Sequence, residues 1–300
     1  MKTLLLIDSH ALLHRFFHAL PPFTSPSGEP VGAIYGLAGV LIKIFNSPAN
    51  PEQSFSTVMQ KPDYIAAALD RPEPTFRERE FKEYKIQRPP AEDILVKQII
   101  KMPEIFDLFG IKKFSQAGFE ADDIIGTLVE KFKDESDLKI IIVSGDLDIL
   151  QLVEDNKVVA QISKKGISEV IIYNEEAVMG RYGLKPKQLP DLKGFLGDAS
   201  DNIPGIKNIG PKTATPLVRE FGSVEEIFDS LAIVPPKIAQ KLEGHREDAI
   251  FSKRLATIRR DVPLECSLED LKTQPLDKEK LAAYFAKLGF KSLVERVKIS

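Results

Sequence analysis

Three short, continuously apolar runs each lead into an aspartate, and this pattern constrains the fold more than any other feature of the chain. The runs span 4–7, 65–69 and 140–143, and the acids that follow them are Asp8, Asp70 and Asp146. Such runs are typical of strands buried on both faces of a parallel sheet, where binding sites lie at the carboxyl ends of the strands. We therefore expect three carboxylates at one sheet edge, where like charges repel one another unless cations lie among them.

Beyond these strands, the chain divides into an α/β body over 1–174 and a helical part over 175–300. The segments between the apolar runs are long enough for the crossover helices that parallel strands need. A β-hairpin is predicted from apolar runs at 158–162 and 170–173, which flank Lys164, Lys165 and Gly166. Helical periodicity or breaker residues predict helices near 11–20, 31–45 and 91–109, a helix from 120, a loop over 46–62, and helices at 175–182, 187–196, 211–221, 223–231, 235–242, 245–258, 277–288 and 291–297.

Composition excludes several classes of protein. The chain is 43% hydrophobic and 28% charged, which is ordinary for a soluble globular protein. No apolar stretch approaches the roughly 20 residues that a membrane span needs. The first predicted strand begins almost at the N-terminus, which argues against a signal peptide, and Cys266 is the only cysteine. A chain without an internal disulfide fits a reducing cytoplasm.

Further carboxylates cluster beyond the three strand ends. Glu120, Asp122 and Asp123 open a predicted helix, Asp148 follows Asp146, and a glycine-rich loop carries Asp198 and Asp201. Each cluster taken singly has an ordinary alternative, as first-turn acids favoured by the helix dipole, as a cap or as a turn. Together these nine carboxylates supply the hard oxygen ligands that Mg²⁺ or Mn²⁺ requires, and no His or Cys cluster suggests zinc. Two such ions about 4 Å apart can drive phosphodiester hydrolysis.

The charge balance also bears on nucleic-acid binding. A net charge of −3 argues against a nucleic-acid partner when it is taken alone. Removing the nine clustered carboxylates leaves +6, which is compatible with a phosphate backbone as a ligand. The segment 76–88 interleaves basic and aromatic residues, including Arg77, Tyr84, Lys85 and Arg88. Its alternative interpretation is a solvated charged helix.

The segment 203–214 has the pattern of a helix–hairpin–helix. Gly205 and Gly210 bracket a short apolar turn, and Pro211 suits the first position of a helix. Backbone N–H groups at the hairpin and at Thr213 would face a phosphate, and the charges of Lys207 and Lys212 would add to the contact without reading sequence. The alternative is an ordinary helical hairpin. Pro216 predicts a kink or a short first helical segment.

These motifs, in this order over nearly the whole chain, resemble those of the 5′-nuclease domains of bacterial DNA polymerases I, in the flap-endonuclease family. The stretches that carry the resemblance are Leu6-Ile7-Asp8-Ser9 with Arg15, Leu69-Asp70 with Thr75-Phe76-Arg77, Tyr84-Lys85 through Arg88-Pro89, Phe119 to Asp123, Gly145 to Asp148, and Gly197 to Gly205. The resemblance implies a PIN-like (5′-nuclease) parallel-sheet core with a helical arch at about 72–95. A helical region with the hairpin motif at about 203–221 would follow.

The resemblance further implies the role of each site residue. Two Mg²⁺ or Mn²⁺ ions, with a third left open, would be held by the acids: one by Asp8, Asp70, Glu120 and Asp122, the second by Asp146, Asp148 and Asp201, with Asp123 and Asp198 as outer or auxiliary members. Lys85 and Arg88 would stabilise the scissile phosphate. Tyr84 would stack on a base, and the other implied DNA contacts are Arg15, Arg77 and the hairpin residues Gly205, Lys207, Gly210, Lys212 and Thr213, with K⁺ as a candidate bridge there.

The implied substrates are DNA with a 5′ flap, nick or gap and RNA–DNA primer junctions, cut by a cytoplasmic, nucleoid-associated monomer with no membrane contact. The chain would be either the N-terminal part of a polymerase or a stand-alone nuclease. Two rival interpretations stay open. A catalytically silent junction-binding module would have lost some of the acids, and a PIN-type ribonuclease would be shorter and would lack the hairpin motif.

Overall fold

The structure, a computed structural model, describes residues 1–46, 61–165 and 169–299, and it is built around a six-stranded sheet. The order across the sheet is β3-β2-β1-β4-β5-β6. The first five strands pair in parallel, and β6 is antiparallel to β5, which confirms the predicted hairpin. The strands are β1 Lys2–Asp8, β2 Tyr64–Ala68, β3 Lys112–Phe114, β4 Leu138–Ser144, β5 Val158–Lys165 and β6 Glu169–Tyr173.

The three apolar runs form the neighbouring strands β2, β1 and β4 in the middle of this sheet. Their register sets Ile7 beside Ala67 on one side and beside Val143 on the other. Leu5 and Ile7 belong to one hydrophobic core, whereas Leu4 and Leu6 belong to the core on the opposite face. Because both faces are covered, the strands need apolar residues at every position, and the continuous apolar pattern follows.

Apart from the short helix Phe76–Glu80, for which the sequence predicts no bounds, the helices lie where periodicity predicts them, with ends within two residues of the expected positions. They are α1 Ser9–Ala19, α2 Gly32–Asn46, α3 Phe76–Glu80, α4 Asp93–Leu108, α5 Ala121–Phe132, α6 Glu175–Tyr182, α7 Leu189–Leu196, α8 Pro211–Phe221, α9 Val224–Asp229, α10 Pro236–Leu242, α11 Arg246–Ala256, α12 Lys278–Lys287 and α13 Lys291–Ile299. Among the described residues, no helix is both long and apolar enough to cross a membrane.

The helical part does not stay separate from the sheet. Residues of α7 to α11 build a third core of their own, which includes Phe195, Leu217 and Ile227. The chain then returns, because Phe285 of α12 and Leu293 of α13 are buried in the core that covers β1 and α2. The change in composition near residue 174 therefore marks the end of β6 at Tyr173 but not a division of the molecule in space.

Three local features differ from the sequence expectations. The strand β3 was not predicted, because it has only three residues and two of them are lysines. Within the expected arch at 72–95, helix is confined to α3 and the start of α4, and residues 81–88 form successive turns. The helix α8 continues through Pro216. This residue is exposed, so the backbone hydrogen bond that proline cannot donate is missing on the solvent-facing side of the helix. Most of the predicted loop at 46–62 and the hairpin tip at Gly166 lie outside the described residues.

The return of α12 onto the first core leads to a stability prediction. Phe285→Ala should lower the free energy of unfolding by about 3–5 kcal/mol, because it empties a fully buried aromatic site. Urea denaturation measures this change. The control is Ile233→Ala at a side chain that is 76% exposed, where we expect a change within about 0.5 kcal/mol. Equal small effects of the two substitutions would show that α12 is not an integral part of that core.

Candidate active site

The three strand-end aspartates meet at one edge of the sheet, as the sequence predicts. Asp8 ends β1, Asp70 lies two residues after β2, and Asp146 lies two residues after β4. They line a cavity of about 280 Å³. Four more of the predicted acids line the same cavity: Glu120, Asp122, Asp148 and Asp201. Seven carboxylates from five separate parts of the chain therefore share one concave site.

A serine at the end of β4 connects two of these acids. The hydroxyl of Ser144 donates to Asp8 Oδ2 at 2.6 Å and accepts from the backbone N–H of Asp146 at 2.9 Å. Asp8 also caps α1 by accepting from the N–H of Ala11. The Asp8 carboxylate is thus held by a strand end, a helix start and a neighbouring strand, so its position follows directly from the sheet register.

Asp70 is fixed from both sides. Its Oδ1 accepts from the N–H of Ala121 at 2.7 Å, where the positive end of α5 favours a carboxylate. Its own backbone N–H donates to Nδ1 of His10 on α1 at 3.1 Å. Glu120 and Asp122 stand on the same first turn of α5, and this helix start brings them beside Asp70.

Asp123 lies outside the cavity, although it is in the same helical turn. Its carboxylate accepts two bonds from the guanidinium of Arg77, at 2.8 and 2.9 Å, and one from the N–H of Arg259 at 2.9 Å. It is 0% exposed. Both oxygens of Asp123 are thus engaged by protein donors, and its carboxylate supports Arg77 and the start of α5 from behind the cavity.

Arg77, which the resemblance implies as a DNA contact, lines the cavity, but its guanidinium is directed into the protein. Its side chain is only 3% exposed, and besides Asp123 it bonds Glu120 and the carbonyls of Leu255 and Thr257. A guanidinium with its donors satisfied inside the protein cannot contact DNA in this arrangement. The segment around Leu255, more than 170 residues away in sequence, supplies the environment that buries it, which a reading of the local sequence misses.

A tight loop carries the last acids, and we call residues 198–202 the aspartate loop. Its ends are closed by two backbone bonds between Asp198 and Ile203, at 2.8 and 2.9 Å. Gly197 precedes it with φ +67°, and a Cβ there would lie 2.2 Å from the carbonyl oxygen of Ile203. Only glycine fits such a conformation and close approach, which explains the glycine before the first acid. Asp201 faces the main cavity, whereas Asp198 faces an adjoining cavity of about 300 Å³.

The acids are balanced by internal cations. We call residues 81–88 the basic segment. From it, Lys85 Nζ lies 2.5 Å from Glu120 Oε1, and Arg88 Nη2 lies 2.5 Å from Asp201 Oδ1. On the other side of the site, Lys193 of α7 bridges Asp148 and Asp198. Lysine and arginine side chains therefore form ion pairs with carboxylates that the resemblance assigns as metal ligands.

Tyr84 also points inward in this arrangement. Its hydroxyl donates to Asp201 Oδ2 at 2.9 Å, and the residue is 5% exposed. A base could therefore stack on its ring only after the Tyr84 side chain turns away from Asp201. The phenol hydroxyl lies beside two acids, Glu120 and Asp201, which are its hydrogen-bond acceptors. The local sequence, a basic stretch with one aromatic residue, does not indicate this hydrogen bond.

Burial and like charges raise the pKa values of several acids. Burial, with the charges of Asp70 and Asp146, raises the pKa of Asp8 to about 7, although the Ser144 bond opposes the shift. Burial and Asp146 raise the pKa of Asp148 to about 6 against the opposing effect of Lys193. Burial and Asp8 raise the pKa of Asp122 well above its usual range. Perturbation of this kind is typical of functional sites.

The donor set fits hard divalent cations. Seven carboxylates line the cavity beside the imidazoles of His10 and His14, and carboxylate oxygens are the ligands that hard cations prefer. The raised pKa values of Asp8 and Asp122 indicate that burial and neighbouring acids disfavour their charged forms in the absence of a cation. Across residues 1–46, 61–165 and 169–299, no three acidic, His or Cys side chains stand ready to hold one ion directly. The acids would have to turn from Lys85, Arg88 and Lys193 or bind through water, as Mg²⁺ with its retained waters allows.

The hairpin motif lies apart from this cavity and has the expected geometry. Gly205 adopts φ +62°, and Gly210 caps α8, whose first residue is Pro211. Lys207 and Lys212 are exposed, and Thr213 is partly exposed. Pro211 has no N–H, and the N–H of Thr213 donates to the carbonyl of Gly210 at 2.9 Å, so the Thr213 N–H that was predicted to contact a phosphate is not free in this arrangement. This end of α8 presents the positive end of its dipole and the two lysine charges to solvent. Arg15 is half-buried on α1, next to His14, which lines the cavity.

Three residues of the site were missed from the sequence: Ser144, His10 and Lys193. The histidines on α1 were considered only as zinc ligands, but His10 accepts a bond from the backbone of Asp70. Lys193 lies five residues before Asp198 on a predicted helix. Its place in the last turn before the aspartate loop is the sequence signal that indicates a cation close to these acids. Ser144 could have been found as the last residue of the strand that leads to Asp146.

Comparisons with protein families and with individual proteins assign the chain to the same family. Residues 3–183 match the model of the 5′-3′ exonuclease N-terminal resolvase-like domain, and residues 184–279 match that of the 5′-3′ exonuclease C-terminal SAM fold. A DNA polymerase I of Caldicellulosiruptor bescii is 41% identical over 99% of this chain, which spans only 34% of that relative. A 5′-3′ exonuclease of Aquifex aeolicus is 35% identical over 99% of this chain and 96% of its own length.

Solved structures share the fold at lower identity. The T5 5′-exonuclease with bound zinc matches with a TM-score of 0.65 and 23% identity, over 99% of this chain and 97% of that one. The catalytic core of Rad2 in complex with a DNA substrate matches with a TM-score of 0.60 and 14% identity, over 99% of this chain and 92% of that one.

The raised pKa of Asp8 leads to a prediction about pH. A carboxyl whose pKa rises to about 7 on folding lowers the stability of the folded state as pH increases from about 4 to 7, because the folded state then holds the extra proton. Asp8→Asn should therefore make the metal-free protein more stable at pH 8 by about 4 kcal/mol, since the pKa rises from 3.8 to about 7 and each pKa unit corresponds to about 1.4 kcal/mol. The advantage should vanish near pH 4.

Thermal and urea unfolding across this pH range, with chelator present, measure the difference. Adding Mg²⁺ at pH 8 should stabilise the wild type more than the variant, because the ion binds the charged site. Asp134→Asn, at an exposed acid remote from the cavity, is the control. A wild-type-to-Asp8→Asn difference that does not change with pH would contradict the electrostatic origin of the effect.

Proposed function

The chain belongs to the 5′-3′ exonuclease family, and from this premise we propose that it is a structure-specific, divalent-metal-dependent 5′ nuclease. It hydrolyses phosphodiester bonds near the 5′ ends of DNA, acting as a 5′-3′ exonuclease and on flaps, nicks and gaps, and it removes RNA at primer junctions. The observation that carries the proposal is the meeting of seven carboxylates with a basic segment in one cavity at the carboxyl edge of a parallel sheet.

We assign the acids to the ions as the resemblance implies, and their common cavity supports the assignment. Asp8, Asp70, Glu120 and Asp122 would hold one Mg²⁺ or Mn²⁺, and Asp146, Asp148 and Asp201 would hold the second; all seven line the cavity. Asp198 would act from the adjoining cavity, where Lys193 connects it to Asp148, and this is where a third ion would bind. When bound, the ions supply Lewis-acid activation of water and stabilise the leaving oxygen.

The basic segment would supply charge to the substrate. Lys85 and Arg88 already lie within 2.5 Å of acids in the cavity, so a small movement brings them to a phosphate bound at the same carboxylates. Positive charge there stabilises the negative charge that develops on the phosphate during cleavage. Tyr84, released from Asp201 by the same movement, would be free to stack on a base.

Other surfaces would hold the rest of the substrate. Lys207, Lys212 and the start of α8 would grip the phosphate backbone of duplex DNA, with K⁺ between hairpin carbonyls and a phosphate. Arg15 would contact the strand near the cavity mouth. A full-length polymerase would join this region to a polymerase domain, since the chain spans about a third of the length of its polymerase I relatives. The proposed setting is DNA replication and repair in the cytoplasm, with a monomer as the working unit.

The silent-module alternative is disfavoured by the acids. A junction-binding module without catalysis has no need for seven carboxylates in one cavity, and burial together with neighbouring acids raises the pKa values of Asp8 and Asp122 among them. A PIN-type ribonuclease is disfavoured because the chain continues into the helical core of α7 to α11 with its hairpin motif.

A cleavage assay on a labelled 5′-flap duplex tests the function. With Mg²⁺ or Mn²⁺ the wild type should release the flap, and Asp146→Ala should reduce the rate by orders of magnitude because it removes a central acid of the cavity. Binding of the same junction, measured in Ca²⁺ or chelator, should survive. Asp107→Ala, at an acid that is 65% exposed on α4, is the control and should cleave normally. No product from the wild type with either ion would favour the binding module.

The hairpin makes a separate prediction about DNA affinity. Lys212→Ala should weaken binding to all DNA sequences alike, because a phosphate contact carries no sequence information. The slope of log Kd against log salt should fall by about 1, as one counterion fewer is released. Fluorescence anisotropy over a salt series measures both. Lys131→Ala, at the opposite end of α5 from the cavity, is the control, and equal slopes for Lys212→Ala and the wild type would remove Lys212 from the interface.

A further inference from the structure

Besides their ion pairs, the basic segment and the aspartate loop are joined by four hydrogen bonds to backbone carbonyls, three of them from uncharged donors. Three consecutive carbonyls of the loop accept donors from the segment. The carbonyl of Ala199 accepts from Gln87 Nε2, that of Ser200 from Arg88 Nε at 3.3 Å, and that of Asp201 from the backbone N–H of Lys85 at 2.9 Å. One bond runs the other way, from Asn202 Nδ2 to the carbonyl of Glu83 at 2.8 Å.

These bonds surround two residues whose backbone conformations are unfavourable for residues other than glycine. Lys85 adopts φ +55°, a left-handed conformation that a lysine rarely takes. Asn202 adopts φ +59°, which asparagine tolerates better than most residues. Such conformations persist only where the surroundings over-determine them. The bonds of Asn202 and Gln87 flank Lys85 on both sides in sequence, so they set the direction in which its side chain leaves the backbone.

We propose that Asn202 and Gln87 are positioning residues that hold Lys85 and Arg88 over the carboxylates for the cleavage reaction. The proposal rests on the proposed nuclease function. The aspartate loop would thus have two tasks, since its Asp201 serves the ions and its backbone and Asn202 carry the basic segment. Ion site and phosphate contact would then be aligned by one short stretch of chain.

The charges alone do not provide this alignment. Lysine and arginine side chains are long and have many rotamers, and an ion pair does not select one of them. The backbone bonds restrict where the segment can lie, and a displacement of about 1 Å can cost roughly a hundredfold in rate. Loss of either amide should therefore slow the chemical step more than it weakens DNA binding.

Three substitutions isolate the amides. Asn202→Gly removes the side-chain bond but tolerates the positive φ, whereas Asn202→Ala adds backbone strain. Gln87→Met keeps the length of the side chain and removes its donor. Gln274→Met is the matched control, because the Gln274 amide also donates to a backbone carbonyl, that of Lys272 at 3.0 Å, but lies beside Gly110, away from the cavity. Thermal unfolding checks that each variant is folded.

Single-turnover cleavage of the 5′-flap duplex at saturating enzyme is the first measurement. Asn202→Gly and Gln87→Met should slow it about tenfold to a hundredfold, with the junction Kd within about threefold of the wild type, since a misplaced catalytic group costs rate and not affinity. In a Lys85→Ala background the same substitutions should slow the reaction several-fold less than they slow the wild type, because only Arg88 then remains to be positioned and residues that act through a shared group are not additive. Rates within twofold of the wild type, or equal losses in both backgrounds, would overturn the positioning role.

Trypsin digestion without DNA or metal is the second measurement and does not depend on activity. Lys82 is exposed and Lys85 is only partly exposed, so the joined segment should resist cleavage after Lys85. Asn202→Gly and Gln87→Met should be cut there several-fold faster, whereas Gln274→Met should not. Equal rates for all four proteins would contradict the proposal. A wild type that cleaves no DNA would contradict the nuclease function, whereas an active wild type with equally active variants would contradict only the positioning role.

Discussion

The repulsion among carboxylates gathered at the carboxyl ends of three parallel strands is the constraint on which the rest of the site depends. The sheet register leaves Asp8, Asp70 and Asp146 no freedom to separate, because each stands at or just after the end of a buried strand. The structure compensates with cations from two directions, Lys85 and Arg88 on one side and Lys193 on the other. The compensation is incomplete, since the pKa of Asp8 still rises to about 7. A fold that retains this cost has a use for the negative charge, and under the proposed function that use is to hold divalent cations.

Much of this arrangement could be predicted from local sequence. The apolar runs predicted β1, β2 and β4, because strands buried on both faces need no polar positions, and the acids after them then had to meet. Helix ends were predicted within two residues, since capping residues and glycines mark them locally. The roles of Arg77, Asp123 and Tyr84 could not be predicted in the same way. A basic or aromatic side chain can face substrate or protein, and the groups that bury Arg77 come from Leu255 and Thr257.

The second half of the chain is therefore part of the site and not an appendage to it. Carbonyls at Leu255 and Thr257 hold Arg77, and the N–H of Arg259 holds Asp123. The side chain of Gln151 bonds the backbone on either side of Thr257, donating to the carbonyl of Ala256 and accepting from the N–H of Ile258. A cut at the composition boundary near residue 174 would leave the acids of α5 without these supports. Local composition describes where secondary structure changes, but long-range hydrogen bonds decide which residues form one functional unit.

The most direct test of the central claim is anomalous diffraction from crystals of the protein soaked in Mn²⁺. If divalent cations neutralise the gathered acids, two anomalous peaks about 4 Å apart should lie in the cavity, one near Asp8 and Glu120 and one near Asp146 and Asp201. Lys85 and Arg88 should have moved off their carboxylates. Saturating Mn²⁺ with no peak in the cavity, and with both basic side chains still paired to Glu120 and Asp201, would contradict the claim.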